Sequence, residues 1–317
     1  MSALGWLVLT GLGVAAIVWG AETFAEHLAA ASVRLGVSTF ALAVLLAGAE
    51  PEELATAVVS SLRGAPAVAL GDVIGANVTI CLVALGVGAL VAPVPFDRSV
   101  RRYALAGLPA AGLAVAAAWD GSVGRTEGAV LVAAYLAYVA AIWVLERRPP
   151  ALGETGELSE AREAPTAGRT GRDVALVLAG VGAMAGGATV LVEGVTRLSE
   201  AEGTRSRLGI VVVGFATAFE LVVLAWSSAR RGISSAVVAA VVGSFAYNTT
   251  MTLGAGALAS PLVVRDPGLL RWPWLAMVAA LGLVLALGWR HRRLGRSQGM
   301  ALLACYPVFV AAVLLTG

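Results

Sequence analysis

Lysine is absent from the 317-residue chain, and acidic and basic residues together make up only 13% of it. Soluble globular domains carry about 25% charged residues, so a soluble domain is excluded for most of the length. Cysteine and histidine are scarce, two of each. Cys81 and Cys305 both lie inside apolar runs, where small buried thiols are expected rather than a disulfide. His27 stands far from His291, which sits in an arginine cluster, so no histidine metal centre is expected. There is no nucleophile–base pair and no phosphate-binding loop, which argues against an enzyme. All 22 basic residues are arginine, a compositional bias from which no function follows. The formal net charge of +2 singles out no macromolecular partner, and nucleic acid is not expected.

What is abundant is apolar sequence: 59% of residues are hydrophobic, and the mean hydropathy is +0.86. Runs of at least ~17 mostly apolar residues, long enough to span a bilayer, fall at 3–28, 37–62, 67–92, 103–119, 127–145, 173–196, 208–229, 233–259, 272–289 and 299–316. The first lacks a positively charged leader and reads as a span rather than a cleaved signal peptide. One long polar stretch, RRPPALGETGELSEAREAPTAGRTGRD, divides the chain. It is too polar to build a core and reads as a linker. The expected organisation is a first half over 1–146, a linker over 147–172 and a second half over 173–317. Loops after odd-numbered spans hold fifteen arginines and loops after even-numbered spans seven. The positive-inside rule therefore puts the odd loops and the linker in the cytoplasm and both termini outside.

The halves repeat. At an offset of 167, Gly20 falls on Gly187, Glu26 on Glu193, Gly36 on Gly203 and Glu53 on Glu220. At 168, Ser60 falls on Ser228, Arg63 on Arg231, Gly75 on Gly243, Gly86 on Gly254 and Pro93 on Pro261. A one-residue slip between Glu53 and Gly64 reconciles the two registers. Five spans per half is odd, so the halves are inverted in the membrane. The expected fold is thus an all-α membrane protein of ten transmembrane helices in two inverted five-helix repeats, an arrangement typical of secondary transporters.

The stretch LLAGAEPEEL places Glu50, Glu52 and Glu53 inside an apolar run. A carboxylate at bilayer depth costs at least ~2.5 kcal/mol. Pro51 interrupts the helix and frees a carbonyl near Ala47. Carbonyls and carboxylates together make a hard oxygen site of the kind Ca2+ or Na+ prefers. VVVGFATAFELVV in the second half supplies Glu220 and Thr217. Glu53 and Glu220 are expected to meet at the pseudo-twofold axis, where two carboxylates require a cation or a shared proton. Glu52 takes the place of Glu53 if the helix register slips by one. Asp72, Asn77, Ser244 and Asn248 are further candidate oxygen ligands, with helix–helix hydrogen bonding the competing role for the last three. Glu26 and Glu193 lie near span ends and either line a vestibule or snorkel to the interface.

These residues resemble the calcium/cation antiporter superfamily, whose best-known branch is the sodium/calcium exchangers. That family carries, in each of two inverted repeats, a motif close to GTSLPE followed by a GNVIGSN-like helix. Here the first repeat reads GAEPEE, then SLRGAPAVALGDVIGAN. GAETFAEHLAAASVRLGVS is similar to the family's first span, and the resemblance covers essentially the whole chain. In the family the Thr and Ser of GTSLPE help hold ions. Their positions are Ala49 and Glu50 in one half, and Ala216 and Thr217 in the other. The second-motif Ser is Ala76 in one half and Ser244 in the other. The position four beyond it is Ile80 or Asn248, and the motif's Asn is Asp72.

The resemblance implies an antiporter that exchanges a divalent cation, Ca2+ foremost, for Na+. The acids at Glu50 and Asp72 also suit protons, or exchange of Mg2+ or Mn2+. A non-transporting membrane scaffold of the same fold is the alternative from another class. No cofactor is expected beyond the transported ions. The expected partners are inorganic cations and the lipid bilayer, in a prokaryotic inner membrane. The sequence sets no oligomeric state, and a monomer is compatible with it.

Overall fold

Backbone inside hydrocarbon has no water to bond, so apolar segments of this length satisfy their N–H and C=O groups as helices. The computed structural model describes residues 3–34, 50–96, 98–146, 170–198, 202–230 and 234–315. The helices are α1 (Ala3–Arg34), α2 (Pro51–Leu62), α3 (Pro66–Val91), α4 (Arg98–Ala118), α5 (Arg125–Glu146), α6 (Thr170–Leu198), α7 (202–217), α8 (Phe219–Arg230), α9 (234–259), α10 (Gly268–His291) and α11 (Arg296–Leu315). The expected apolar segments are mostly helical where described, with breaks at Glu50 and Ala218, and among the described residues seven helical stretches are long and apolar enough to cross a membrane. The first part of the 37–62 segment, including Ala47, lies outside the described residues, as does the linker over 147–169.

The chain is not purely helical. Among the described residues, four two-residue strands, β1 (Val94–Pro95), β2 (Ser122–Val123), β3 (Leu262–Val263) and β4 (Arg293–Leu294), lie in the connections between helices. β1 pairs antiparallel with β4, and β2 with β3. Hydropathy does not reveal them, because their role is only to satisfy backbone groups where loops of the two halves meet.

The two halves share their break points. α2 and α8 are both 12 residues long, and they begin at Pro51 and Phe219. Each is followed by a helix that runs 14 residues as α-helix, five as π-helix (Ile80–Ala84, Asn248–Thr252) and seven as α-helix. β1 and β3 follow. Every boundary in this series repeats at a separation of 168, from residue 51 to 219 through 94 to 262. The one-residue slip expected between Glu53 and Gly64 is therefore not there. It lies before Pro51, and the structural counterpart of Glu220 is Glu52.

Contacts mirror the same relation. A Cβ at Gly13 would sit 2.8 Å from the Gly187 carbonyl oxygen, and one at Gly20 2.7 Å from that of Gly180. These glycines bring α1 and α6 together as an antiparallel pair, which touches the rest mainly through α2. Ile17, Ala65, Val68, Ala188, Leu191 and Val213 form the small apolar seam between the pair and the remaining helices. The larger core, around Leu70, Ile74, Phe96, Phe245 and Trp274, lies on the other side of α3. Outward faces carry exposed Leu4, Leu12, Leu136, Val144, Leu178 and Val308. Large apolar side chains spread over several helix faces suit lipid rather than water.

Gly71 and Gly75 of α3 let the π-helical turn Gly209–Val213 of α7 lie backbone to backbone against it. A Cβ at Gly75 would overlap the Ile210 carbonyl oxygen, whereas Gly112 of α4 has nothing within 4 Å. Gly75→Ala is therefore expected to cost about 2 kcal/mol or more by overpacking, and Gly112→Ala to gain up to about 1 kcal/mol from helix propensity. Thermal unfolding of the detergent-solubilised variants, followed by monodisperse elution, checks both signs.

Candidate cation-binding site

Proline lacks an N–H, so it fits the first turn of a helix and not its interior. Pro51 accordingly opens α2, and Glu50 occupies the N-cap with φ −107° and ψ 83°. The Glu50 carbonyl accepts from the amides of Glu53 (3.1 Å) and Leu54 (3.0 Å). Glu52 and Glu53 fall in the first turn, where the helix dipole favours negative charge. The second half breaks its helix without proline: α7 ends at Thr217, Ala218 turns, and α8 carries Glu220 as its second residue. Both breaks thus present a glutamate at the start of a helix within the membrane-spanning region.

Glu50, Glu52, Glu53 and Asp72 are all at most 5% exposed, and Glu220 is half-buried. Ser244 Oγ donates to Glu50 Oε1 at 2.5 Å. Thr217 Oγ1 lies 2.9 Å from Asp72 Oδ1 and 3.1 Å from the Val213 carbonyl oxygen. Glu50 and Glu52 interact electrostatically with each other and with Glu220. Glu53 interacts electrostatically with Asp72 and Glu52 and has the Asn248 amide nearby. That amide closes no hydrogen bond: Asn248 Nδ2 and both Glu53 carboxylate oxygens are buried without a partner. Asp72 Oδ2, Asn77 Oδ1 and Glu220 Oε2 are also buried and unpartnered, while Asn77 Nδ2 donates to the Val73 carbonyl at 2.7 Å. Asn248 Oδ1 accepts from Thr252 at 3.3 Å.

Most of the sequence candidates lie near one another, but in a different grouping, while Asn77 is seen to bond only within its own helix. Glu220 interacts with Glu52 and Glu50, and Glu53 with Asp72 and Asn248. Among the described residues no three acidic, histidine or cysteine side chains close into a ready-made chelate. Only Glu50 and Asp72 are held by hydroxyls, those of Ser244 and Thr217. Glu193 is engaged elsewhere, accepting from Arg197 at 2.7 Å, and His27 Nδ1 lies 3.1 Å from Asp173 Oδ1.

Sequence reasoning missed several neighbours. Thr56 and Ser60 have buried, unpartnered hydroxyls, and their four-residue spacing from Glu52 puts them on its helix face. Tyr247 is buried within electrostatic reach of Glu50, Glu52 and Glu53 and meets Tyr135 edge to face at 5.2 Å. Glu22 of α1 is within electrostatic reach of Glu220.

Among the described residues, buried carboxylates at paired helix breaks have no cationic partner, an arrangement that suits a membrane cation transporter. Residues 5–144 and 173–315 match the sodium/calcium exchanger protein family, and the chain belongs to that family. The family is one of transporters rather than enzymes. An uncharacterized membrane protein of Methanocaldococcus jannaschii is 23% identical over 97% of this chain and 95% of its own. The sodium/calcium exchanger MaX1 of Methanosarcina acetivorans is 30% identical over 95 residues, covering 29% of this chain and 27% of its own. The solved structure of the sodium-calcium exchanger NCX_Mj with Na+ and Sr2+ shares the fold, with TM-score 0.62 and 21% identity over 98% of this chain and 99% of that one.

Replacing Glu53 with Gln keeps its shape and removes one of several mutually repelling buried charges. Glu53→Gln is expected to raise the unfolding midpoint of the cation-free protein and to lose the stabilisation that added cation gives the wild type. For a bound ligand at a hundred times its Kd that gain is about 2.7 kcal/mol. Differential scanning fluorimetry with and without divalent cation reads both changes.

Proposed function

We propose that this protein is a secondary antiporter that exchanges a divalent cation, Ca2+ foremost, for Na+. The observation that carries the reading is Glu53: a fully buried carboxylate with both oxygens unpartnered, among Glu52, Asp72 and Asn248. A group in that position requires a cation or a proton. Glu52 and Glu220, the structurally matched pair, would hold the divalent ion between the halves, with Glu53 and Asn248 on its inner side. Hard oxygen donors of this kind suit Ca2+, which tolerates irregular shells of six to eight oxygens. Release of the ion leaves opposed carboxylates, so the empty site cannot reorient until Na+ refills it, and that requirement enforces exchange. α1 and α6, packed chiefly on each other, would slide as a pair past the other helices to alternate access.

This reading carries the membrane arrangement with it. Ten spans would form two inverted halves, 1–146 and 173–317, with the 147–172 linker cytoplasmic and both termini outside. The chain would reside in a prokaryotic inner membrane. A second reading is favoured by one specific feature: carboxyls stand at Glu50 and Asp72, each beside a hydroxyl (Ser244, Thr217) that can donate to the ionised acid or accept from the protonated one. Such acids can carry protons in place of Na+.

Uptake of radioactive Ca2+ into proteoliposomes under an imposed outward Na+ gradient or outward H+ gradient tests both. Na+-driven uptake supports the first reading and H+-driven uptake the second. Glu52→Gln and Glu220→Gln are expected to reduce flux to the level of protein-free vesicles. Full flux in both variants overturns the site, and no flux of any divalent cation under either gradient leaves a non-transporting membrane protein.

A further inference from the structure

Two helices of the main core, α4 and α10, pack together and are pinned at both ends by the same kind of contact. At one end the Arg101 guanidinium of α4 lies 5.1 Å from the centre of the Trp289 ring of α10. At the other the Arg271 guanidinium of α10 lies 5.5 Å from the centre of the ring of Trp119, which follows α4. Each half thus supplies an arginine and a tryptophan 18 positions apart. That is about 27 Å along a helix, close to the ~30 Å of a bilayer's hydrocarbon. Both tryptophans are exposed, and tryptophan of this kind sits at headgroup level. The two corners therefore mark the two boundaries of the membrane.

The corners are built alike and charged differently. Beyond Trp119 the chain turns at Gly121 (φ 83°), pairs through β2 and enters α5 at Arg125. Beyond Trp289 it turns at Arg292 (φ 55°), pairs through β4 and enters α11 at Arg296. Left-handed backbone is free for glycine and strained for a residue with a Cβ, and strain of this kind collects at functional places. The Gly121 turn carries the acids Asp120 and Glu127. On the Arg292 turn, and over its tryptophan, the described charged side chains are all basic: Arg101, Arg290, His291, Arg292, Arg293 and Arg296. The acid nearest to β1 in sequence, Asp97, lies outside the described residues. The turn is fixed. Its Arg292 N–H donates to the Gly288 carbonyl at 2.8 Å, and the Arg292 carbonyl accepts from Phe96 N–H at 3.0 Å. The buried Phe96 ring lies so close to Gly288 that a Cβ there would stand 2.6 Å from it. The dipole of α10 accounts for cations at its C-terminus, but Arg296 opens a helix, where the dipole disfavours positive charge.

We propose that the Arg292 turn, with Arg101 and Trp289, is a binding site for the headgroup phosphate of an anionic phospholipid. Guanidinium forks match phosphate oxygens two at a time, and here they stand on fixed backbone. Trp289 sets them at the edge of the hydrocarbon, where a phosphate attached to acyl chains lies and a free phosphate gains nothing from the ring. The turn falls on the face proposed above as cytoplasmic, and cytoplasmic leaflets are rich in anionic lipid. The corner at Trp119 and Arg271 has the same frame, but acids stand on its turn, and it serves as the internal control. The site is separate from the buried carboxylates and does not depend on the exchanger reading.

The experiment is native mass spectrometry of the full-length protein in detergent, offered equal amounts of phosphatidylglycerol and phosphatidylcholine. The wild type is expected to retain phosphatidylglycerol in preference. Arg292→Gly and Arg101→Gln should each weaken that retention about fivefold, whereas Arg271→Gln, at the opposite corner, should leave it unchanged. Glycine suits the left-handed turn, so Arg292→Gly removes the charge without endangering the fold. In thermal unfolding it should melt above the wild type in phosphatidylcholine and gain less than the wild type from phosphatidylglycerol. No preference in the wild type, full retention in both Arg292→Gly and Arg101→Gln, or an equal loss in Arg271→Gln would overturn the site. Displacement of the lipid by inorganic phosphate would overturn the lipid as its ligand. None of these readouts involves transport, so failure here leaves the exchanger reading standing, and absence of flux leaves this site standing.

Discussion

Carboxylates that repel one another inside a protein need something positive between them, and here the described interior supplies nothing of the kind. Glu50, Glu52, Glu53 and Asp72 are buried, Glu220 is half-buried, and no arginine or histidine is among the buried residues described. Two unit charges 4 Å apart interact by about 4 kcal/mol at an effective dielectric constant of 20. Whole domains are stable by only about 5–15 kcal/mol, so several such repulsions cannot all persist. Ser244 and Thr217 ease two of them with hydroxyl hydrogens, yet a hydroxyl adds no charge. What the site lacks in side chains it must take from solution. In the proposed exchange this requirement is the coupling device, because a site that cannot stay empty carries one ion in whenever it lets another out.

The backbone is shaped around that requirement. Helix interiors have no spare polar groups, so an oxygen-rich site at depth needs helices that stop and restart. Pro51 does this for α2. In the second half the break at Ala218 follows the π-helical turn Gly209–Val213, which packs against Gly71 and Gly75. A π-turn shifts the hydrogen-bond register of a helix, and such turns occur often at functional sites. Asn248 opens the π-turn of α9 and is delivered by it beside Glu53. Close glycine contacts hold these interrupted rods together, and the strand pairs β1–β4 and β2–β3 tie the connecting loops of one half to those of the other.

Much of this was legible in the sequence. Hydropathy located the helical segments, because the bilayer fixes their length and composition. The acids stood out because charge in such runs is costly, and the GAEPEE and GDVIGAN stretches named most of the residues that meet. The register between halves was legible only to within one residue. Matching Glu53 to Glu220 used two glutamates in a row, where the sequence offers no means of choosing, and the equal lengths of α2 and α8 choose Glu52. The break at Ala218, the π-turns and the short strands depend on backbone hydrogen bonding, which side-chain pattern does not encode.

The account stands or falls on whether a cation occupies the space beside Glu53. Crystals soaked in Sr2+ and measured at its absorption edge answer this directly, since the anomalous signal locates the ion without assumption about its ligands. The account predicts a peak about 2.3–2.6 Å, the usual divalent-ion–oxygen distance, from carboxylate oxygens of Glu52, Glu53 or Glu220, and its loss on competition with Na+ or protons. No peak among these acids in crystals that bind Sr2+ elsewhere, or an ion coordinated only by the outer surface, would contradict it.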